Sequence, residues 1–314
     1  MNSLIFSLNA TIPIFLIMIV GMILKRINII TEEFNKGLNK LVFSIALPIL
    51  LFEDVSSVDF IELWDTKFVL FCFFTTLISI FISYIISLFL KNKDIKGEFI
   101  QASYRSSASI IGIAFVQNIY GNIGASPLMI IGAVPLYNVV AVIILSLFKP
   151  GESKFDKTVI KSTLIGILKN PIILGIFFGI LWSLSGLTKP AIMDTTLTDI
   201  ANLATPLGLI SIGASFDFKK AVGEIKPTII CSILKLIVFC ALFIPLAVYL
   251  GYRNDYLVTI LVMFGSATTV SAFIMAKNMG HEGILSSSTV MITTMFSSFT
   301  LTMWLFILKS LNLI

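Results

Sequence analysis

Ten apolar runs follow one another along the chain with short connections, and this limits the fold more than any other feature of the sequence. They lie at 4–24, 37–52, 68–90, 99–120, 125–148, 160–185, 192–216, 227–250, 255–279 and 285–309, and they are read as crossings of about 30 Å of hydrocarbon. With 57% hydrophobic and 12% charged residues over 314 positions, at a mean hydropathy of +1.01, a soluble domain is excluded. The sequence therefore predicts an all-α membrane protein of ten transmembrane helices. The first run has no basic segment ahead of it and no small-residue cleavage site, so it is expected to remain as a span. Cys72, Cys231 and Cys240 fall inside apolar runs without paired spacing, which points to packed thiols rather than a disulfide or zinc framework.

The basic residues orient the spans. Loops after spans 1, 3, 5, 7 and 9 carry Lys25, Arg26, Lys36 and Lys40; Lys91, Lys93 and Lys96; Lys149, Lys154, Lys157, Lys161 and Lys169; Lys219, Lys220 and Lys226; and Lys277. The other side holds Lys67, Lys189, Arg253 and Lys309. By the positive-inside rule the first set is cytoplasmic and both termini lie outside. The net charge of +5 thus reflects topology rather than nucleic-acid binding.

Laid on itself at an offset of 158, the chain repeats. Pro13, Ile14, Leu16 and Gly21 fall on Pro171, Ile172, Leu174 and Gly179; Ala46 and Pro48 on Ala204 and Pro206; Ser57, Asp59 and Phe60 on Ser215, Asp217 and Phe218; Ala114 and Phe115 on Ala272 and Phe273. Five spans per half make the second copy inverted, an arrangement that places a binding site near the midplane where discontinuous helices meet. Spans 4 and 9 are the candidates for those helices, because QASYRSSASIIGIAFVQNIYG and GSATTVSAFIMAKNMG are too polar to face lipid.

Candidate site residues follow from these stretches. A broken span leaves N–H and C=O groups without intrahelical partners, and the N–H end favours an anion. Ser107, Ser109, Thr268, Thr269 and Ser271 supply hydroxyls, while Gly112, Ile113, Ala114, Ala267 and Ala272 sit at or beside the breaks. Helix packing by the same small residues is the alternative. Tyr137 and Asn138 lie near the middle of span 5; Asn138 serves either a ligand or the backbone gap left by Pro135. Arg105 and Lys235, inside spans, either offset the charge of an anionic substrate or snorkel to the near surface. Asp59 and Asp217 are expected to cap helices, Gly175 and Gly179 to mark a close helix contact, and His281 to be a solvated loop residue. No catalytic constellation, metal-ligand spacing or nucleotide-binding loop is present in the sequence, so an enzyme is not expected, and no cofactor.

Beyond the residues themselves, NKLVFSIALPILLF at 39–52, SASIIGIAF and IYG within 107–121, PLYNVVAVI at 135–143, NPIILGIFFGI at 170–180, ATPLGLISIGASF at 204–216 and SAFIMAKNMG at 271–280 resemble the auxin efflux carrier family, in particular its prokaryotic malonate and malate carrier-like members. The resemblance spans essentially the whole chain. It implies ten spans as two inverted five-helix repeats with broken helices 4 and 9 crossing at the substrate, elevator-like movement, and a homodimer formed through the scaffold. The implied scaffold is 1–52 with 160–216, and the implied transport bundle 68–148 with 227–310, joined by a cytoplasmic linker at 149–159. Where the family usually has Pro at the crossovers this chain has Ala114 in span 4 and Ala267 and Ala272 in span 9, and Ser107 and Ser271 stand for its Asn. The function expected is secondary transport of a small organic anion, carboxylates foremost, across the cytoplasmic membrane. A proton or sodium ion is the candidate coupling ion, and the alternatives are a non-transporting ligand sensor or a passive anion channel.

Overall fold

A computed structural model describes residues 2–57, 65–151, 166 and 168–314, leaving aside the side chains of 2–4, 6, 7, 10 and 109–114. The expected linker at 149–159, the start of span 6 and Asp59 therefore fall mostly or wholly outside the described residues. All regular structure among the described residues is helical. Helix α1 runs Asn2–Arg26. Helix α2 (Glu32–Leu41) passes through a π turn at Val42–Ala46 into α3 (Leu47–Ser56). Then come α4 (Thr66–Ser87), α5 (Lys96–Tyr104), α6 (Ala108–Tyr120), α7 (Ser126–Leu147), α8 (Pro171–Ser185), α9 (Ala191–Ser215) and α10 (Phe218–Gly223). Helix α11 (Ile225–Ile233) continues through a second π turn, Leu234–Val238, into α12 (Phe239–Tyr249), followed by α13 (Asn254–Gly265), α14 (Val270–Asn278) and α15 (Ile284–Ser310).

Local chemistry sets these boundaries. Thr31, Asp65, Asn170 and Asp217 place a side-chain oxygen on the first free N–H groups of α2, α4, α8 and α10, as helix N-caps do. Gly121 and Gly186 end α6 and α8 in the left-handed region, at φ 75° and 65°, where glycine carries no Cβ penalty. The π turn before α3 has its cause in Pro48, which lacks an N–H and crowds the carbonyl four residues back. Leu47 N–H reaches instead to the Val42 carbonyl.

Six helical stretches are long and apolar enough to cross a membrane among the described residues: Thr66–Ser87, Ser126–Leu147, Ala191–Ser215, Ile225–Tyr249, Asn254–Asn278 and Ile284–Ser310. The chain is thus a helical membrane protein, and Leu70, Phe74, Phe81, Phe177, Phe178 and Phe306 point outward from it, as lipid-facing side chains do. Cys72, Cys231 and Cys240 are free, buried thiols.

Two groups of helix contacts stand out, joined to each other by α1 against α15 and α9 against α14. In one, α1 lies against α9, and α3 against α8 and α9. Backbone touches backbone there: a Cβ on Gly21 would meet the Ile210 carbonyl, one on Gly213 the Met18 carbonyl, one on Gly175 the Pro48 carbonyl, and one on Gly179 the backbone of Phe52. In the other, α4 packs on α5 and α7, α6 on α7 and α13, and α15 on α11, α13 and α14. At one edge of the first set, Lys189 Nζ sits 2.6 Å from Glu53 Oε2 and 3.0 Å from Asp194 Oδ1. Burial alone would lower this ammonium, but its bonds to Glu53 and Asp194 more than reverse that and raise it above the usual lysine range.

His281 corrects the expectation of a solvated loop residue. Its side chain is buried, with Nε2 2.9 Å from the Leu145 carbonyl, and the missing Cβ of Gly97 leaves the room, since a methyl there would lie 2.9 Å from His281 Cε1.

The glycine contacts give a direct test. Gly213→Leu is expected to lower stability by about 3 kcal/mol or more, because no rotamer can clear a carbonyl in close contact. Gly37→Ala, on an exposed helical position with nothing within 4 Å of the new methyl, is expected to be neutral or stabilising by up to about 1 kcal/mol. Thermal unfolding of the purified variants in detergent reads both.

Candidate functional site

Two stretches that hydropathy would draw as single spans are interrupted. Helix α5 ends at Tyr104 and α6 begins at Ala108; α13 ends at Gly265 and α14 begins at Val270. Arg105, Ser266 and Thr269 take extended backbone, at ψ 137°, 162° and 142°, so four helix ends lose their internal partners. Ser106, Ser107, Ser266, Thr268 and Thr269 fill the gaps. Their hydroxyls compete for backbone groups and favour helix ends over interiors.

Each gap supplies the other. The Ser107 N–H donates to the Ala267 carbonyl at 2.9 Å, and the hydroxyls of Ser106 and Ser266 share a hydrogen bond at 2.6 Å. Thr268 Oγ1 donates to the Ala102 carbonyl near the end of α5 at 2.9 Å, and Thr268 N–H donates to Thr293 Oγ1 at 3.0 Å. Gln101 Nε2 reaches across from α5 to the Ala272 carbonyl at 2.7 Å.

Arg105 lies in the first gap and is 1% exposed. Nη1 donates to Gln101 Oε1 at 3.1 Å and Met275 Sδ at 2.8 Å; Nη2 donates to Asn138 Oδ1 at 2.7 Å and Ser271 Oγ at 2.6 Å. All four acceptors are neutral, and buried Nε has no hydrogen-bond partner among the described residues. A buried charge whose hydrogen bonds all go to neutral groups favours an anion beside it, and the one acidic side chain among the described residues lining the adjoining cavity is that of Asp54. Lys235 is 0% exposed, so neither cation snorkels. Asn138 does not mend the gap left by Pro135, whose missing N–H frees the Ile131 carbonyl. Its amide donates to the Val134 carbonyl at 2.9 Å while its oxygen holds Arg105.

A cavity of about 60 Å³ opens against this cluster, lined by Arg105, Ser106, Ser107, Val134, Tyr137, Asn138, Thr269, Val270 and Ser271 on one wall and by Leu47, Leu50, Leu51, Asp54, Ala204 and Thr205 on the other. At a liquid share of about 30 Å³ per water it has room for a few waters. Of the residues singled out from sequence, Arg105, Ser107, Tyr137, Asn138, Thr269 and Ser271 come together here. Thr268, Ala272 and Lys235 stand outside the lining, committed to the hydrogen bonds that tie the gaps together. Ser109, Gly112, Ile113 and Ala114 lie on α6, with side chains outside the described ones.

Sequence reasoning missed Asp54, Thr205, Gln101 and Met275. Asp54 could have been found, since Glu53 and Asp54 end an otherwise apolar helix, LPILLFEDVS. Gln101 precedes Arg105 by four residues, the spacing at which helical side chains meet. A second, larger cleft of about 550 Å³ lies between α2, α9 and α14, lined by Lys25, Lys36, Lys220 and Lys277 together with Glu32, Asp217 and Glu282.

No curated protein matches the chain. Residues 6–305 match the family described as membrane transport protein; the chain therefore belongs to that family, the auxin efflux carrier family its motifs resemble, and is a multi-pass membrane transporter.

Proposed function

We propose that the chain is a secondary carrier for a small organic anion, carboxylates foremost, which it binds at the meeting of the two interrupted helices. One observation carries the substrate class: Arg105 presents a buried guanidinium to the cavity while all its hydrogen bonds go to neutral groups. A carboxylate in the cavity would take the Nη2 donors now held by Asn138 and Ser271, and would sit near the first turns of α6 and α14, where helix dipoles favour negative charge.

The topology proposed is ten spans in two inverted five-helix repeats, with the interrupted helices crossing, in the cytoplasmic membrane. Helix starts that recur at the 158-residue offset support the duplication: Lys96 with Asn254 and Ser126 with Ile284. So does the pair of contacts Gly21 to Ile210 and Gly179 to Phe52, whose members are offset mates of one another. Lysines of three expected cytoplasmic loops share the 550 Å³ cleft. At the other face the Asn254 N–H donates to the Leu313 carbonyl, which favours an outside C-terminus. In the elevator-like cycle proposed, α4–α7 with α11–α15 shift as a bundle against a scaffold of α1–α3, α8 and α9. The cavity lies on the seam between these sets. The homodimer implied by the resemblance would form through that scaffold.

Protein reconstituted in liposomes is expected to take up labelled short mono- or dicarboxylates saturably and to show counterflow. Binding without flux would establish a sensor instead, and unsaturable conductance a channel. Within the same assay, Arg105→Gln is expected to weaken substrate binding by about 10- to 100-fold, the worth of a charge-assisted pair, and Asn138→Ala by about tenfold. Unaltered affinity in both variants would remove the site. Arg105→Ala is a poorer probe, because it strips four buried acceptors of their donor at once and is expected to destabilise the fold.

A further inference from the structure

Lys235 is the second buried cation and takes no part in the cavity. The second π turn, Leu234–Val238, carries it, and such a turn re-aims a helical side chain by inserting one residue. Its Nζ lies 2.8 Å from the Phe264 carbonyl, 3.4 Å from the Met263 carbonyl and 2.8 Å from Ser106 Oγ. Phe264 and Met263 belong to the last turn of α13, whose carbonyls are left open by the interruption before α14. The three donors of the ammonium thus meet three neutral oxygens, two of them at the negative end of a helix dipole. That is the ligand set of a hard monovalent cation, here satisfied by the chain itself.

The other interruption has no cation on its helix-end carbonyls, since Arg105 there donates to side chains. Its open carbonyl at Ala102 is taken by the Thr268 hydroxyl, and the residue 158 positions before Lys235 is Leu77, apolar and 37% exposed. The helix-end carbonyls of one gap are therefore closed by a cation, and the open one of the other by a neutral donor. A metal ion at the end of α13 would have to share the same carbonyls with the ammonium, against direct repulsion.

We propose that Lys235 is a built-in monovalent cation that closes the end of α13, occupying the position a coupling Na⁺ would need, so that the protein neither binds nor requires sodium at this break. The assignment of the ammonium as an internal ligand stands on the geometry alone; the consequence for transport rests on the carrier reading above.

The test is thermal unfolding of the full-length protein in detergent. Wild type is expected to melt at the same temperature in NaCl, KCl and choline chloride of equal ionic strength; a saturable stabilisation by Na⁺ would overturn the proposal. Lys235→Ala is expected to melt lower by roughly 5 °C or more and to recover most of that loss in n-propylammonium, which restores the excised methylenes and charge, but not in n-propanol. A folded variant that responds equally to both, or to neither, would also overturn it. Should Lys235→Ala yield no folded protein, the salt comparison on wild type decides. In liposomes, carboxylate uptake is expected to persist when choline replaces Na⁺ on both sides, and uptake that needs Na⁺ refutes the proposal. Absence of all uptake alongside propylammonium rescue refutes the carrier reading alone.

Discussion

Peptide groups left bare inside an apolar helical bundle have no water to turn to, and this requirement organises the centre of the molecule. A buried donor or acceptor without a partner costs about 1–3 kcal/mol, so two helix interruptions placed apart would together be a heavy burden. Placed against each other they are complementary: Ser107 N–H meets the Ala267 carbonyl, and the Thr268 hydroxyl meets the Ala102 carbonyl. The residues of the gaps suit this exchange because serine and threonine bring a donor on a short arm. Gln101 and Lys235 reach in from α5 and the second π turn to the Ala272 and Phe264 carbonyls, while Asn138 of α7 accepts from the Arg105 side chain.

Glycine seats occur on both sides of the cavity, Gly132 of α7 on the Val69 carbonyl of α4 among them, and they are most numerous where α1, α3, α8 and α9 meet. Between α1 and α9, and between α3 and α8, glycines bring a Cα against a facing backbone, a close fit that admits little adjustment. Across the seam the contacts include single polar ones, such as Asn278 Nδ2 to the Asn39 carbonyl at 3.2 Å. Asn35, Asn39, Ser211 and Ser215 meanwhile bond among themselves along α2 and α9. A hydrogen bond to a lone carbonyl can be exchanged for water or another partner at small net cost; a glycine seat cannot.

The sequence made the membrane class legible because twenty apolar residues in a row have few other uses, and it located both interruptions through polarity that lipid would not tolerate. It did not show where Arg105 would point. A long cationic side chain on a span has two outlets, the interface or the interior, and only the position of Gln101, Asn138, Ser271 and Met275 around it decides between them. Asp54 and Thr205 escaped for a related reason: they become neighbours of Arg105 through packing of α3 and α9, and no local pattern carries that information. His281 misled because a glycine-flanked position in a short connection reads as solvated, whereas the space that buries it is made by Gly97, nearly two hundred positions earlier.

The two buried cations end in opposite situations, and the difference bears on how an anion would be felt by the protein. Lys235 faces oxygens of one helix end and one serine, a closed set that needs no visitor. Arg105 divides its donors among side chains of α5, α7 and α14, so its planar fork fixes the relative positions of three helices with bonds to neutral groups, the weaker kind available to it. An anion competing for those donors would exchange neutral acceptors for a charged one and release Asn138 and Ser271 together. Binding at the cavity is then inseparable from loosening α7 from α14 at the level of the interruptions. An ammonium in place of the guanidinium, a compact charge without the fork, would hold the anion yet lose that link.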